Sequence, residues 1–323
     1  MAAESTAQQV SVIIPCHTID RLPYLELAIE SVKQQEVEPA ELVVAVDHEP
    51  ALAEILSKRF PEITIIENKF ERGASGNRNS GAAAASTSLI AFLDDDARAR
   101  PGWLQALVKP FVDPNVVCTG GFVAPDWSGT EPRWFPPEFA WVVGASHLGL
   151  PTRLAKVRNV WAENMAVRAS VFSDVRGFRG TFGKVGSVSR PEDTDLCIRM
   201  GKEFPGASLV FVPSAIVDHH VGPERMTVRF FLRRSYYEGR GKVELAQIND
   251  GTDDLGDEAI YLRRTIFRGF ARYARNGLVN HDMDDLRRII ALAGGLGAAA
   301  TGAAVSGIDM GVKALRPGGS DRA

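Results

Sequence analysis

The sequence predicts an α/β protein built on a mostly parallel central sheet, followed by a helical C-terminal extension. Three observations carry this. Short β-branched apolar runs alternate with helical spacings early in the chain. Several of those runs end in an acid or a proline. After residue 223 the strand-like runs give way to long stretches of helical periodicity. The 323 residues can bury a large core, and 45% hydrophobic with 24% charged residues is an ordinary globular composition. A net charge of −3 provides no global basic field, so nucleic acid is not an expected partner. Cys16, Cys118 and Cys197 are few, odd in number and far apart. They form neither a disulfide framework nor a zinc pattern, which implies a reducing cytoplasm. The opening MAAESTAQQ is polar and lacks the apolar stretch of a secretory signal. Residues 1–9 are expected to be a disordered tail.

The run VSVIIP at 10–15 reads as a buried strand stopped by proline. Residues 22–35 place Leu25, Ile29 and Val32 at helical spacing, with Pro23 near the start. ELVVAVD at 41–47 is a second strand, 51–60 a helix, and ITIIE at 63–67 a third strand. Right-handed crossovers at this spacing give parallel strands. Such sheets bind ligands at the carboxyl ends of their strands. Pro15, Cys16, His17, Asp47 and the later acids should therefore line one edge. Asp47 can accept hydrogen bonds from a nucleobase or ribose, or cap the next helix.

The strand LIAFL at 89–93 ends in Asp94, Asp95 and Asp96. Three adjacent carboxylates repel one another. A divalent cation bound to phosphate relieves that repulsion, because Mg²⁺ and Mn²⁺ take oxygen ligands from carboxylates and phosphates. The alternative is a solvated acidic turn, since Arg98, Arg100 and Pro101 follow at once. Just upstream lies RGASGNRNSGAAAAS at 72–86. Its glycines fit neither the P-loop nor the dinucleotide fingerprint. Arg78 can contact a diphosphate or fix the acidic strand end through an ion pair.

Residues 104–111 are read as a helix and 116–125 as a strand. The segment 126–152, rich in Trp, Phe, Pro and Gly, is read as a loop. It could cover a site, contact an acceptor, or form a satellite apolar cluster. Residues 160–168 are read as a strand in which Asn164 needs a hydrogen-bonding partner if buried, and 171–186 as a loop. In RPEDTDLCIRM, Pro191 opens a helix whose first turn is crowded by Glu192, Asp193 and Asp195. These acids complement the helix dipole, or one of them is a general base. Strands at 209–213 and 215–217 lead to His219 and His220, which alternate faces so that at most one enters a site. Residues 223–242 interleave aromatics with Arg225, Arg229, Arg233, Arg234, Arg240 and Lys242. This helix could bind phosphates, sugars or an anionic membrane, or simply present a solvated basic face. After an acidic linker at 250–257, residues 259–276 read as an amphipathic helix. Residues 289–308 carry no charge over 20 residues, long enough to span a bilayer. Their Ala and Gly content favours a packed or interfacial helix. Residues 317–323 are expected to be disordered.

In this order the motifs resemble the family 2 glycosyltransferases. VSVIIPCH resembles that family's opening strand, ELVVAVD its nucleotide-contacting strand, and FLDDDARARPGW its DXD motif. RGASGNRNSG resembles the loop before the metal strand. WAENMAVR resembles the acceptor-side strand, with Ala162 and Glu163 where glycine and alanine are commoner. PEDTDLCIRM resembles the ED motif, HHVGPERMT a histidine-bearing strand of metal-dependent members, and RRSYYEGRGK a segment of members acting on lipid-linked acceptors. Ala97 departs from the pattern, which often has a further acid there.

The resemblance implies a GT-A fold over residues 10–242 and a C-terminal helical extension over 243–316, with membrane contact. It implies inverting transfer of a sugar from a nucleoside diphosphate, uridine by default, to an acceptor hydroxyl of a lipid-linked or cell-envelope glycan. Mg²⁺ or Mn²⁺ would be the cofactor, held by Asp96, Asp94 and His219. Asp193 would be the base, with Glu192 as its fallback. Pro15, His17, Asp47, Arg78, Asp94 and Asp95 would bind the donor. Asn164, Arg225, Arg233, Arg234 and Tyr237 would contact the acceptor or its phosphate. The expected location is cytoplasmic, at the inner face of the membrane. A nucleotidyltransferase, a non-catalytic nucleotide-sugar-binding protein and a membrane-associated scaffold are the rival readings.

Overall fold

A computed structural model describes residues 9–180, 183–185, 188–248, 261–279 and 281–315. The acidic linker at 250–257, residues 1–8 of the expected N-terminal tail and the C-terminal tail lie outside the described residues.

The first half alternates as read. It runs β1 (Val10–Cys16), α1 (Leu22–Lys33), β2 (Glu41–Val46), α2 (Pro50–Arg59), β3 (Thr64–Glu67), α3 (Ala74–Ala84) and β4 (Leu89–Leu93). Then follow β5 (Ala97–Ala99), α4 (Trp103–Val108), β6 (Val116–Trp127), β7 (Ala155–Val157), β8 (Asn164–Arg168) and α5 (Ala169–Asp174). A small hairpin of β9 (Gly183–Val185) and β10 (Val188–Arg190) precedes α6 (Glu192–Glu203) and the long β11 (Ser208–Val221). The C-terminal part is helical: α7 (Val228–Ile248), α8 (Phe267–Val279) and α9 (Met283–Leu315).

The main sheet has nine strands in the order β3-β2-β1-β4-β8-β6-β11-β5, with β7 also paired to β11. Strands β3, β2, β1, β4, β6 and β11 run one way, and β8, β5 and β7 the other. The sheet is thus mixed but mostly parallel. β1 and β4 are buried along their whole length. Helices cover both faces, which is why these strands read as unbroken apolar runs rather than alternating ones. One face packs Leu25, Ile29, Leu52, Leu56, Trp103 and Leu107. The other packs Phe92, Phe172, Phe178, Leu196 and Met200. Gly81 lets α3 lie against β1, since a Cβ there would sit 2.2 Å from Ile13 Cγ2.

Four readings change in detail. The strand expected from 160 begins only at Asn164, after a turn. The loop expected at 171–186 contains the end of α5 and all of β9. The two strands near 209–217 are one, with a register shift against β6 between Val212 and Ile216, across a Pro213 that has no N–H to donate. The aromatic segment 126–152 holds a 3₁₀ turn at Pro137–Val143 and is a satellite core. Its Phe135, Phe139 and Val143 pack with Phe231, Ile266, Tyr273 and Leu292 of the C-terminal helices.

Helix α9 is long and apolar enough, by length and composition, to cross a membrane over Met283–Ile308. Its inner side packs closely on α7. A Cβ at Gly302 would lie 2.0 Å from the Tyr236 carbonyl oxygen, and one at Gly239 1.9 Å from that of Ala299. Small residues thus bring the two backbones together.

Candidate active site

The carboxyl ends of β1, β2 and β4 meet the C-terminal half of β11 at one edge of the sheet. Register sets the pairing of the key side chains. β5 runs antiparallel to β11 with Ala97 opposite His219. The His220 N–H also donates to the Asp96 carbonyl at 2.8 Å. His219 is thereby held beside Asp96, with its Nε2 3.3 Å from Asp96 Oδ1. His219 is 2% exposed, whereas His220 turns the other way and stacks on Tyr24. The expected alternation of the two histidines is what the strand does.

Cations surround the three aspartates. Arg21, just before α1, reaches Asp95 Oδ1 at 2.6 Å and Asp96 Oδ2 at 3.0 Å. Arg225 approaches Asp96 Oδ2 at 3.7 Å and His219 Nε2 at 3.4 Å. Although burial pushes the Asp96 carboxyl up, His219, Arg21 and Arg225 hold it well below the usual carboxylate range. Asp95 goes the other way: burial and the adjacent acids push it up to about 7 against the pull of Arg21. His219 is raised, because Asp96 outweighs burial.

Asn77 explains how Arg78 enters the cleft. Its Nδ2 donates to the carbonyls of Cys16 and Ala45, each at 2.9 Å, pinning the start of α3 to two strand ends. The neighbouring Arg78 then bridges Asp94 Oδ1 at 2.6 Å and Glu192 Oε1 at 3.2 Å. One buried guanidinium thus joins the acids after β4 to those opening α6. Glu192 is still raised to about 7 by burial and by Asp193, against Arg78. Asp193 is raised too, chiefly by burial; its Oδ1 accepts the Thr194 N–H at 2.8 Å, and Glu238 on α7 adds repulsion. Asp195 points elsewhere, fully buried with Arg199 and Arg179.

Other expected residues divide clearly. Asp47 is buried and pins the loop before α3, accepting from Asn68 Nδ2 at 2.7 Å and the Gly73 N–H at 2.9 Å. Pro15 pairs with Ala45, one residue before the end of β1, and His17 Nδ1 stands 3.9 Å from Asp95. Arg234 is paired with Glu238 at 3.0 Å, facing the Asp193 side. Arg233 is exposed over Phe230, and Tyr237 packs edge-on against Tyr236. Asn164 is not brought to the cleft. It is 1% exposed, accepts from Trp103 Nε1 at 2.8 Å, and donates to the carbonyls of Phe122 and Ala215. Its polar groups are used up inside the fold, so its expected acceptor contact is corrected to a structural role.

Two site residues escaped the motif reading. Arg21 has no local signal, being one arginine in a short turn. Glu163 stands at a position already marked as a departure from the family pattern. Gly144, at φ +77°, lies between it and the histidine. A Cβ there would be 2.8 Å from His219 Cε1 and 3.3 Å from Glu163 Oε2. Burial pushes Glu163 up to about 8; His219 pulls it down, while Asp94, Asp193 and Asp96 raise it further.

Among the described residues no three His, Cys, Asp or Glu side chains converge as a ready metal cage. Asp96 Oδ1 nonetheless offers an oxygen that would suit Mg²⁺ or Mn²⁺, with His219 Nε2 the ring nitrogen beside it. Asp96 Oδ1 and His219 Nδ1 are buried without hydrogen-bond partners. These ions also take few protein ligands and leave positions for substrate phosphates and water.

The glycosyl transferase family 2 model matches residues 11–176, just over half of the chain. The chain therefore belongs to that family and is a glycosyltransferase. It is 28% identical over 289 residues to the glucosyl-dolichyl phosphate glucuronosyltransferase of Haloferax volcanii, covering 88% of this chain and 91% of that one. A shorter match, 32% over 106 residues, is to the GalNAc(5)-diNAcBac-PP-undecaprenol β-1,3-glucosyltransferase of Campylobacter jejuni, covering 31% of this chain and 34% of that one. Among solved structures, a mannosyltransferase of Pyrobaculum calidifontis in complex with GDP-Man and Mn²⁺ shares the GT-A fold. Its TM-score is 0.53 at 17% identity, over 96% of this chain and 81% of that one.

Proposed function

We propose that this chain is an inverting, divalent-metal-dependent glycosyltransferase. It moves a sugar from a nucleoside diphosphate, uridine favoured, to a hydroxyl of a lipid-linked or cell-envelope glycan at the cytoplasmic face of a membrane. The observation that carries the reading is the Arg78 bridge between Asp94 and Glu192. It fixes the strand-end acids next to the α6 acids, so a donor held by the first set presents its sugar to the second.

Asp96 and His219 would hold Mg²⁺ or Mn²⁺, which neutralises the departing diphosphate when bound. Arg225 and Arg21 supply further positive charge on that side. Asp47 and His17 line the donor edge of the cleft. Asp193 accepts the acceptor hydroxyl proton as that oxygen bonds to the anomeric carbon and the sugar–phosphate bond breaks on the opposite face. Its raised proton affinity makes it a better base than an ordinary aspartate. Glu192, held by Arg78, orients it. The two relatives named for dolichyl- and undecaprenol-linked substrates support a lipid-linked acceptor.

The test is calorimetric titration of nucleoside diphosphates and nucleotide sugars with Mn²⁺ or chelator, on the wild type and Asp96→Ala. Metal-dependent binding of one nucleoside diphosphate, lost in the variant, is the expected result. A folded protein that binds no nucleotide would overturn the reading, and pyrophosphate release on turnover would replace it with nucleotidyl transfer.

A further inference from the structure

The basic-aromatic helix expected to meet a membrane is committed within the protein over its later turns, while Val228, Arg229, Leu232 and Arg233 at its start are exposed. On α7, Phe231 is buried, Arg234 pairs with Glu238, and Gly239 packs on α9. Helix α8 and the π turn before it (Leu262–Ile266) are different. The inner face is anchored by the Glu138 carboxylate, 1% exposed, which accepts from Arg272 Nη2 at 2.7 Å and the Tyr273 hydroxyl at 2.9 Å. The outer face carries Arg263, Arg264, Phe267, Arg268, Arg275 and Val279, all exposed. Phe267 is 62% and Val279 69% exposed. The four arginines have no ion-pair partner among the described residues, and residues 259–281 contain no acid. Here a basic stripe and two large apolar side chains share one face.

From this face we infer that α8 lies flat on an anionic lipid bilayer, with Phe267 and Val279 in the headgroup boundary and the arginines against lipid phosphates. Exposed apolar anchors flanked by unpaired cations are the pattern of an interfacial helix. The charge complementarity selects an anionic surface. The position also serves the cleft. Tyr261, directly before the π turn, donates to the Glu138 carbonyl, accepts from Trp141 Nε1 and packs on His147. His147 in turn packs on Trp161, two residues before Glu163. A bilayer under α8 is thus connected by a wall of aromatic side chains to the acceptor side. The inference gives a location to the lipid-linked acceptor of the proposed function, but the surface is read from α8 itself.

The test is sedimentation of the full chain with vesicles of phosphatidylcholine alone, or with about a third phosphatidylglycerol. Wild type is expected to pellet with the anionic vesicles, and less so as salt rises. R264E/R268E/R275E should weaken binding at least tenfold, and Phe267→Ala roughly threefold. Melting curves and Mn²⁺-dependent nucleoside diphosphate binding should stay at wild-type values in both. Failure to pellet with anionic vesicles would overturn the inference. So would binding that is equal on neutral vesicles, or undiminished by charge reversal, which would move the contact to the uncharged face of α9. Nucleotide binding retained alongside such a failure leaves the glycosyltransferase reading standing.

Discussion

Asp94, Asp95 and Asp96 each lie within 3.0 Å of an arginine nitrogen. Across the cleft, Asp193 and Glu163 have no ion pair among the described residues, and both are pushed toward the protonated form by burial. Both groups are carboxylates near one edge of the sheet, yet the first is in direct contact with arginines and the second is not, and Asp95 alone of the first group is also pushed up, to about 7. The strand-end acids sit among cations, the setting in which the proposed metal and diphosphate would exchange charge with groups already in place. The second set sits where a proton is welcome. Environment, not residue type, separates the roles.

The largest expected effect breaks the link between the two sets. Arg78→Ala leaves Asp94 and Glu192 facing each other without a cation, and we predict a loss of about 3–5 kcal/mol in denaturant unfolding. A loss under 1 kcal/mol would show that water screens the pair. Next is the base. Asp193→Asn should lower turnover roughly a hundredfold or more with donor binding unchanged. Near-normal turnover would move the proton acceptor elsewhere, with Glu192 and Glu163 the neighbouring candidates. On the metal side, Asp96→Ala should weaken Mn²⁺-dependent nucleoside diphosphate binding by roughly tenfold or more. An unchanged Mn²⁺ titration would remove Asp96 from the metal shell.

The smallest effect sharpens the contrast through pH. Glu163 has its folded pKa raised to about 8, above the ordinary value of 4.5. The folded state therefore holds a proton that the unfolded state has lost between those values. Stability falls as pH climbs through that window. Glu163→Gln removes the penalty, so its Tm should match wild type near pH 5 and exceed it by about 2–4 °C near pH 8.5. A constant offset at both values would show that Glu163 does not titrate there.

Much of the acidic strand-end edge was legible because strand ends announce themselves. An apolar run closing in Asp94–Asp96, and another in Asp47, already implied a shared edge. What did not show was partnership. Arg21 and Asp95 are 74 residues apart, and nothing near either names the other. Asn164 was read as needing a hydrogen-bonding partner if buried, but nothing local named those partners, which come from β6, α4 and β11. Glu163 carried a signal only as a departure from a pattern.

The sequence by itself determined the alternation of strands and helices and the placing of Asp47 and Asp94–Asp96 at the carboxyl ends of strands. These follow from local periodicity and from where apolar runs stop. Tertiary structure alone decided which cation meets which carboxylate, which histidine faces Asp96, and that the aromatic segment is core rather than lid. It also decided that Arg263, Arg264, Arg268 and Arg275 share one exposed face with Phe267 and Val279. Each of those outcomes depends on sheet register or on helix packing between distant segments. The free energy of a charge depends on the groups around it, and those are set by contacts that no local stretch of sequence encodes.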